Sequence, residues 1–83
     1  MEIYDSARRH GIGDEDIIHA VEHALAVGEQ DDGKVLYLGP DRAGSLLEVV
    51  AVSRDDGTEI VIHAMRMRRR YQPFLRGEGE GHG

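Results

Sequence analysis

Cysteine is absent from this 83-residue chain, which excludes disulfide bonds, thiolate metal sites and a cysteine nucleophile. No apolar stretch approaches the roughly 20 residues that a membrane-spanning helix needs. The first residues include Glu2 and Asp5, whereas a signal peptide has an apolar segment near its start. We therefore expect a cytoplasmic protein that makes no contact with a membrane.

Motifs for several common chemistries are also missing. No serine lies in a nucleophile-elbow pattern, and the chain contains neither a G-x-G-x-x-G fingerprint nor a Walker motif. These absences argue against a serine hydrolase and against a nucleotide-phosphate cradle. We expect no cofactor.

The shortness of the chain limits the core that it can build. A chain of this length buries only roughly 60–65% of the surface that its unfolded form exposes. We expect one domain over residues 1–76, followed by a Gly-, Glu- and His-rich tail over residues 77–83 that is disordered. Because small domains without disulfides often gain stability from a partner, a homo-oligomer is one option.

Positive charge is scarce over most of the chain and concentrated near its end. The formal net charge is −6, which argues against non-specific nucleic-acid binding by the whole surface. Residues 1–33 hold nine acidic and two basic side chains, whereas residues 59–76 hold five arginines and a single acid, Glu59. A local basic patch on an acidic protein suits a specific anionic ligand better than a general polyanion.

Two helical segments are predicted in the first third of the chain. Residues 2–10 favour a short helix stopped by the glycines at 11 and 13, with a short strand as the alternative. Asp14 suits an N-cap, and Ile17 and Val21 recur at helical spacing. The pattern predicts an amphipathic helix over residues 14–27 that ends at Gly28.

Three β-rich runs follow, separated by turn residues at 39–44 and 55–57. The runs cover residues 34–38, 46–53 and 58–65. Short turns between such runs predict an antiparallel meander. The second run is apolar almost throughout, so we expect it to be the central strand and to be covered on both faces.

The chain closes with a short helix or turn over residues 67–75, in which Tyr71 and Phe74 are expected to face inward and Pro73 limits the length. The predicted fold class is therefore α+β. N-terminal helices would pack on a three- to four-stranded antiparallel sheet, followed by a short C-terminal helix.

One metalloenzyme-like motif occurs in the predicted helix. His19, Glu22 and His23 match H-x-x-E-H, in which two imidazoles one turn apart can bind one metal and the glutamate can act as a base. The alternative is a polar outer helix face. A catalytic zinc also needs a third protein ligand and a cleft, and nothing in the sequence indicates either. We favour the polar face and expect no metal.

The last predicted strand leads into a basic cluster, which we define as Arg66, Arg68, Arg69 and Arg70. Strict alternation places Ile60, Ile62 and Ala64 on one face, where we expect the core, and His63 on the other. His63 then lies near the arginines, whose positive charge would favour the neutral imidazole that suits a general base.

The basic cluster has two interpretations. Arginine offers a bidentate fork for phosphate, and Tyr71 could stack on a base or donate a hydrogen bond. Alternatively, the arginines pair with the acids at 14–16 or 31–32, or clamp a helix C-terminus, and have only a structural role. The turn at 39–44 carries a further candidate phosphate contact, Arg42, although a hairpin turn explains its other residues.

Several phrases of the chain are similar to those of one protein family. They are His10-Gly11-Ile12, Glu15-Asp16-Ile17, Arg42 followed by Leu46–Val50, and Ile62–Tyr71. In this order they resemble the BrnT toxins of type II toxin–antitoxin modules, which are small ribonucleases with a RelE-like α+β fold. The resemblance covers about residues 3–75.

The resemblance implies metal-independent RNA cleavage, in which the 2′-hydroxyl attacks the adjacent phosphate and the enzyme supplies acid–base groups and cations. It also implies a cognate antitoxin that masks the site. The matching positions are Ala64, the basic residues after it and Tyr71. The family usually has arginine after that alanine and an acid–arginine pair before the tyrosine, where this chain has Met65 and Arg69-Arg70.

The resulting hypothesis is a toxin-like ribonuclease whose partners are RNA and an antitoxin. It assigns catalysis to His63, Arg66, Arg68 and Tyr71, and RNA binding to Arg42, Arg69 and Arg70. The alternative is a non-enzymatic module that self-associates or docks to a partner through its acidic helix and basic C-terminal segment.

Overall fold

The computed structural model describes residues 1–76, so the predicted disordered tail lies outside the described residues. The strands are β1 (Glu2–Ile3), β2 (Ala26–Glu29), β3 (Lys34–Pro40), β4 (Leu46–Ser53) and β5 (Glu59–Arg66). The helices are α1 (Asp14–Glu22) and α2 (Gln72–Leu75), with single 3₁₀ turns at Asp5–Arg8, Asp31–Gly33 and Arg69–Tyr71. Within residues 1–76, neither helix has the length and apolarity that crossing a membrane requires.

The strands form one five-stranded mixed sheet in the order β1-β5-β4-β3-β2. The first strand runs parallel to the last, with Glu2 beside Ile60, and all other neighbours are antiparallel. The prediction of a three- to four-stranded antiparallel sheet is therefore wrong, although the meander β3–β4–β5 with β4 at its centre is confirmed. The two strands outside this meander are short and lie at the two edges; β1 corresponds to the short strand kept as the alternative for residues 2–10, whereas β2 was not predicted.

The first ten residues do not form the predicted helix. The Tyr4 N–H donates to the Val61 carbonyl at 2.9 Å, and the Ser6 hydroxyl donates to the Ile62 carbonyl at 2.7 Å. Ala7, in the 3₁₀ turn, is fully buried in the core. Pairing with β5 satisfies the backbone of this segment, so contacts more than fifty residues away override its local helical preference.

Helix α1 ends at Glu22 rather than at residue 27. The His23 N–H still donates to His19, but the Leu25 N–H donates to the Leu38 carbonyl of β3 at 2.8 Å. The chain thus leaves the helix to form β2, and Gly28, which was predicted to stop the helix, lies inside that strand. The acidic first turn of α1 is as predicted, although the N-cap residue is Gly13 rather than Asp14.

The main core lies between α1 and one face of the sheet, here called the helix face. It contains eight fully buried residues: Ala7, Ile17, Ala20, Leu47, Val49, Ala51, Val61 and Ala64. The approach is close at Gly39, where an added Cβ would lie 2.1 Å from the Ala20 carbonyl oxygen. Only glycine fits there, because the backbones of α1 and β3 are nearly in contact.

The opposite face of the sheet, here called the open face, is only partly covered. The C-terminal segment turns back over β3, where Tyr71 packs on Leu36 and Leu38. Val50 and Val52 of β4 remain half-buried. The expectation that β4 is covered on both faces therefore holds at its first half only, and the uncovered part forms the floor of a shallow cleft.

Candidate functional site

A β-bulge in β5 sets the direction of the side chains that form the site. Val61 pairs with Ala51 and His63 pairs with Val50, so Ile62 is the extra residue. The bulge breaks the strict alternation assumed from the sequence, because Val61 and Ala64 rather than Ile60 and Ala64 enter the helix-face core. His63 lies on the open face beside β4, as predicted.

The centre of the site is Glu48, a fully buried carboxylate on β4. Arg68 makes four hydrogen bonds to it. The backbone N–H donates to Oε1 at 3.0 Å, Nε donates to Oε1 at 3.0 Å and to Oε2 at 3.2 Å, and Nη2 donates to Oε2 at 2.7 Å. The Nε2 atom of His63 lies 3.1 Å from Oε2. Both carboxylate oxygens are therefore occupied, and every buried polar side-chain atom of the described residues has a partner.

The arrangement keeps Glu48 ionised. Burial acts to raise the pKa of Glu48, but the hydrogen bonds from the Arg68 side chain and backbone, and from His63, outweigh it and hold that pKa below the usual value of 4.5. An ionised carboxylate only accepts hydrogen bonds. The Nε2 atom of His63 therefore carries a proton that it donates to Glu48, and in the neutral form of the ring Nδ1 is then the acceptor nitrogen.

The backbone after β5 explains how Arg68 reaches Glu48. The Met67 N–H donates to the Leu46 carbonyl at 3.0 Å, which extends the sheet pairing one residue past β5. The Tyr71 N–H then donates to the Arg68 carbonyl at 3.1 Å and closes a 3₁₀ turn. This turn places the guanidinium carbons of Arg68 and Arg70 5.8 and 5.2 Å from the centre of the Tyr71 ring.

These side chains line a shallow open-face cleft of about 260 Å³. Its lining includes Lys34, Glu48, Val50, His63, Arg68 and Tyr71. The cleft therefore combines two cations, an imidazole and a phenol over an apolar floor. We call Lys34, Glu48, His63, Arg68 and Tyr71 the Glu48 site.

The other predicted site residues do not all meet there. Arg66 pairs with Leu47, a helix-face residue, and so projects from the opposite side of the sheet to His63. Arg69 is exposed. Arg42 donates to Asp16 at 2.9 Å and to Glu15 at 3.1 Å, so two of the acids offered as structural partners for the basic cluster pair with Arg42 instead.

The acidic first turn of α1 is also engaged within the chain. Asp14 accepts two hydrogen bonds from Arg8, at 2.9 and 2.8 Å. Together with the Arg42 pairs, these contacts involve all three acids of that turn. These acids remain partly exposed, with Glu15 at 79%, so the alternative hypothesis of docking through the acidic helix stays a prediction.

Two members of the Glu48 site were missed by sequence reasoning. Glu48 was given no role within a run predicted to be apolar almost throughout, although it is the single charged residue in Leu46–Ser53. A lone acid in an otherwise apolar central strand is costly to bury without a cation, and that cost is the signal that could have identified it. Lys34 carried no comparable signal because it begins a strand.

No family model, curated protein or solved structure matches this chain. The resemblance to BrnT toxins therefore depends on the sequence phrases alone and stays a prediction.

The H-x-x-E-H motif forms a different arrangement from a metal site. The rings of His19 and His23 stack with their centres 4.3 Å apart, and Nδ1 of His19 lies 2.8 Å from the Pro40 carbonyl oxygen. Over residues 1–76, no three His, Asp or Glu side chains are grouped so that they could hold one metal ion. The contact with Pro40 instead joins α1 to the end of β3.

Proposed function

We propose that this chain is a toxin-like ribonuclease of a type II toxin–antitoxin module, which cleaves RNA without a metal in the cytoplasm and is inhibited by a cognate antitoxin. The observation that supports it most is the convergence of His63, Arg68, Lys34 and Tyr71 on one cleft around a buried carboxylate. Cations, a base and a proton donor are the groups that cleavage of a phosphodiester through its own 2′-hydroxyl requires.

In the proposed reaction, Nδ1 of His63 accepts the proton of the 2′-hydroxyl as that oxygen attacks phosphorus. The bond from phosphorus to the 5′-oxygen breaks, Tyr71 supplies the proton to the leaving oxygen, and the products are a 2′,3′-cyclic phosphate and a 5′-hydroxyl. Glu48 acts as a positioning residue, because its contact with Nε2 fixes the tautomer that leaves Nδ1 free.

The cations would stabilise the transition state. As the phosphorane forms, negative charge grows on its non-bridging oxygens, and a fixed guanidinium stabilises that charge without reorganising. Arg68 is fixed by its hydrogen bonds to Glu48, while its side chain remains 44% exposed. It can therefore be held in place by the protein and still present an edge to a phosphate. Lys34 lines the same cleft and adds a second charge.

The proposal is tested by inducing the chain in bacterial cells and mapping new 5′ ends in total RNA. We expect growth arrest and new 5′-hydroxyl ends with the wild type. His63→Gln should lower cleavage by the purified chain by about 100-fold or more, the usual effect of losing a general base. Cleavage should persist in EDTA and should fail on a substrate with 2′-O-methyl groups.

A matched control is Arg54→Gln, because Arg54 pairs with Glu2 at the other end of the sheet and is not part of the Glu48 site. This variant should cleave RNA like the wild type. If induced wild type leaves growth and RNA unchanged, or if His63→Gln cleaves as fast as the wild type, the ribonuclease proposal is wrong.

A further inference from the structure

A second and larger cleft, of about 510 Å³, lies at the β2 edge of the sheet on the open face. We call it the edge trough. Its lining includes Ala26, Gly28, Leu36, Leu38, Tyr71 and Phe74. It is thus a groove between the edge strand and the C-terminal segment whose lining is mostly apolar but also includes Glu29 and Gln30.

Small residues on β2 create the trough. Ala26 and Gly28 pair with Leu38 and Leu36, so all four residues share the open face. A Cβ added at Gly28 would meet no atom within 4 Å. Phe74, beside this space, is 58% exposed, whereas Leu36, Leu38 and Tyr71 are buried, so an apolar side chain entering the space would cover Phe74.

The backbone of β2 adds hydrogen-bonding groups to the same edge. Within residues 1–76, β2 has a strand neighbour on one side only, β3. The Gln30 N–H donates to the Lys34 carbonyl at 2.7 Å. Because N–H directions alternate along an extended chain, the N–H groups of Val27 and Glu29 point away from β3. An edge of this kind can accept an extended peptide as an added strand.

Charge at this edge indicates the chemistry of the occupant. Glu29, Asp31 and Asp32 are exposed, and none of them belongs to an ion pair within the described part of the chain. A second copy of the chain would bring another acidic edge against this one, which is unfavourable. A basic segment would be attracted to it.

We propose that the edge trough binds an extended segment of a partner protein in which apolar and basic residues alternate, added beside β2 as a sixth strand. The apolar side chains of that segment would enter the space over Gly28 and contact Phe74. The basic side chains, on the other face, would lie near Glu29 and the acidic turn that follows. This inference does not depend on the proposed ribonuclease activity.

The test uses a fluorescently labelled synthetic peptide, Lys-Val-Lys-Val-Lys-Val, and measures anisotropy with the purified full chain. We expect saturable binding that weakens as salt is raised. A peptide of the same composition in two blocks, Lys-Lys-Lys-Val-Val-Val, should bind about tenfold or more weakly, because it cannot place apolar residues on one face. A Glu-Val-Glu-Val-Glu-Val peptide should not bind, because its acidic side chains would be repelled by Glu29, Asp31 and Asp32.

Two variants locate the binding. Gly28→Val fills the trough at a position with free space, and Val27→Pro removes an outward N–H while leaving the hydrogen bonds to β3. Each should weaken binding of the alternating peptide about tenfold or more. The control Ser53→Val lies at the exposed end of β4 and should bind normally. Circular dichroism checks that each variant is folded.

Equal binding of the alternating and block peptides, or normal binding by folded Gly28→Val, would overturn the proposal. So would an absence of saturable binding by the wild type. Sedimentation showing a dimer that Gly28→Val dissociates would assign the edge trough to a second copy of the chain, and would equally overturn it.

Discussion

The Glu48 carboxylate is fully buried and accepts hydrogen bonds from Arg68 and His63, so its neutral isostere tests the site directly. In Glu48→Gln, one of the two acceptor oxygens is kept as the amide oxygen. The other is replaced by an NH₂ group, which then faces a hydrogen-bond donor of Arg68. Charge-assisted hydrogen bonds contribute about 1.5–3 kcal/mol each, and loss of one partner of a buried pair costs about 3–5 kcal/mol.

The exposed part of the Arg68 side chain reduces this cost, since its guanidinium can regain water. We therefore expect Glu48→Gln to lower the free energy of unfolding by about 2–4 kcal/mol at pH 7. For a domain of this size the corresponding fall in Tm is roughly 10–30 °C. Thermal unfolding followed by far-ultraviolet circular dichroism measures both quantities. Exposed Glu22→Gln is the control, with an expected change within about 0.5 kcal/mol.

The difference between wild type and Glu48→Gln should also depend on pH. The folded-state pKa of Glu48 lies below the usual 4.5, so the unfolded chain takes up a proton there before the folded chain does. The stabilisation is therefore complete above about pH 5 and is lost as pH falls through the folded pKa. A variant as stable as the wild type at pH 7, or a gap that stays constant into strong acid, would refute the reasoning.

Two further predictions concern the core. Gly39→Ala should destabilise the fold by about 3 kcal/mol in urea unfolding, because its Cβ would clash with the Ala20 carbonyl oxygen. The control Gly28→Ala places its Cβ in open space and should not destabilise the fold. Equal destabilisation by the two variants would contradict this packing. Burial and the 2.7 Å hydrogen bond to Glu59 raise the pKa of Tyr37 to about 12. The protonated phenol therefore stabilises the folded state below about pH 10, and this contribution is lost as pH rises toward 12. When tyrosine ionisation is followed by ultraviolet absorbance, Tyr37→Phe should remove the ionisation that occurs at the highest pH. An unchanged titration curve would show that this ionisation does not belong to Tyr37.

The elements that were predicted correctly have strong local signals. Acids at Asp14–Asp16 mark the start of α1, and the turns predicted at 39–44 and 55–57 separate β3, β4 and β5, although β3 continues through Pro40. These signals act within a few residues, so they can be read without the fold. The antiparallel meander and its central strand follow from them.

The errors occur where distant partners decide the conformation. β1 contains two residues and forms because β5 lies beside it, and β2 takes residues from the end of a helical pattern because β3 supplies its hydrogen bonds. The bulge at Ile62 is also a property of the β4–β5 pairing. None of these contacts leaves a periodic trace in the local sequence.

The sequence by itself determined that positive charge follows the last strand, with His63 before it and Tyr71 after it. Only the tertiary structure decided which of those groups meet. Arg68 and His63 join Glu48 on the open face, while Arg66 projects from the helix face. The physical reason is that the position of charge along the chain can be read from the sequence. The side chains that pair with a buried carboxylate depend on distances and directions, and these are set by strand pairing and by the bulge at Ile62.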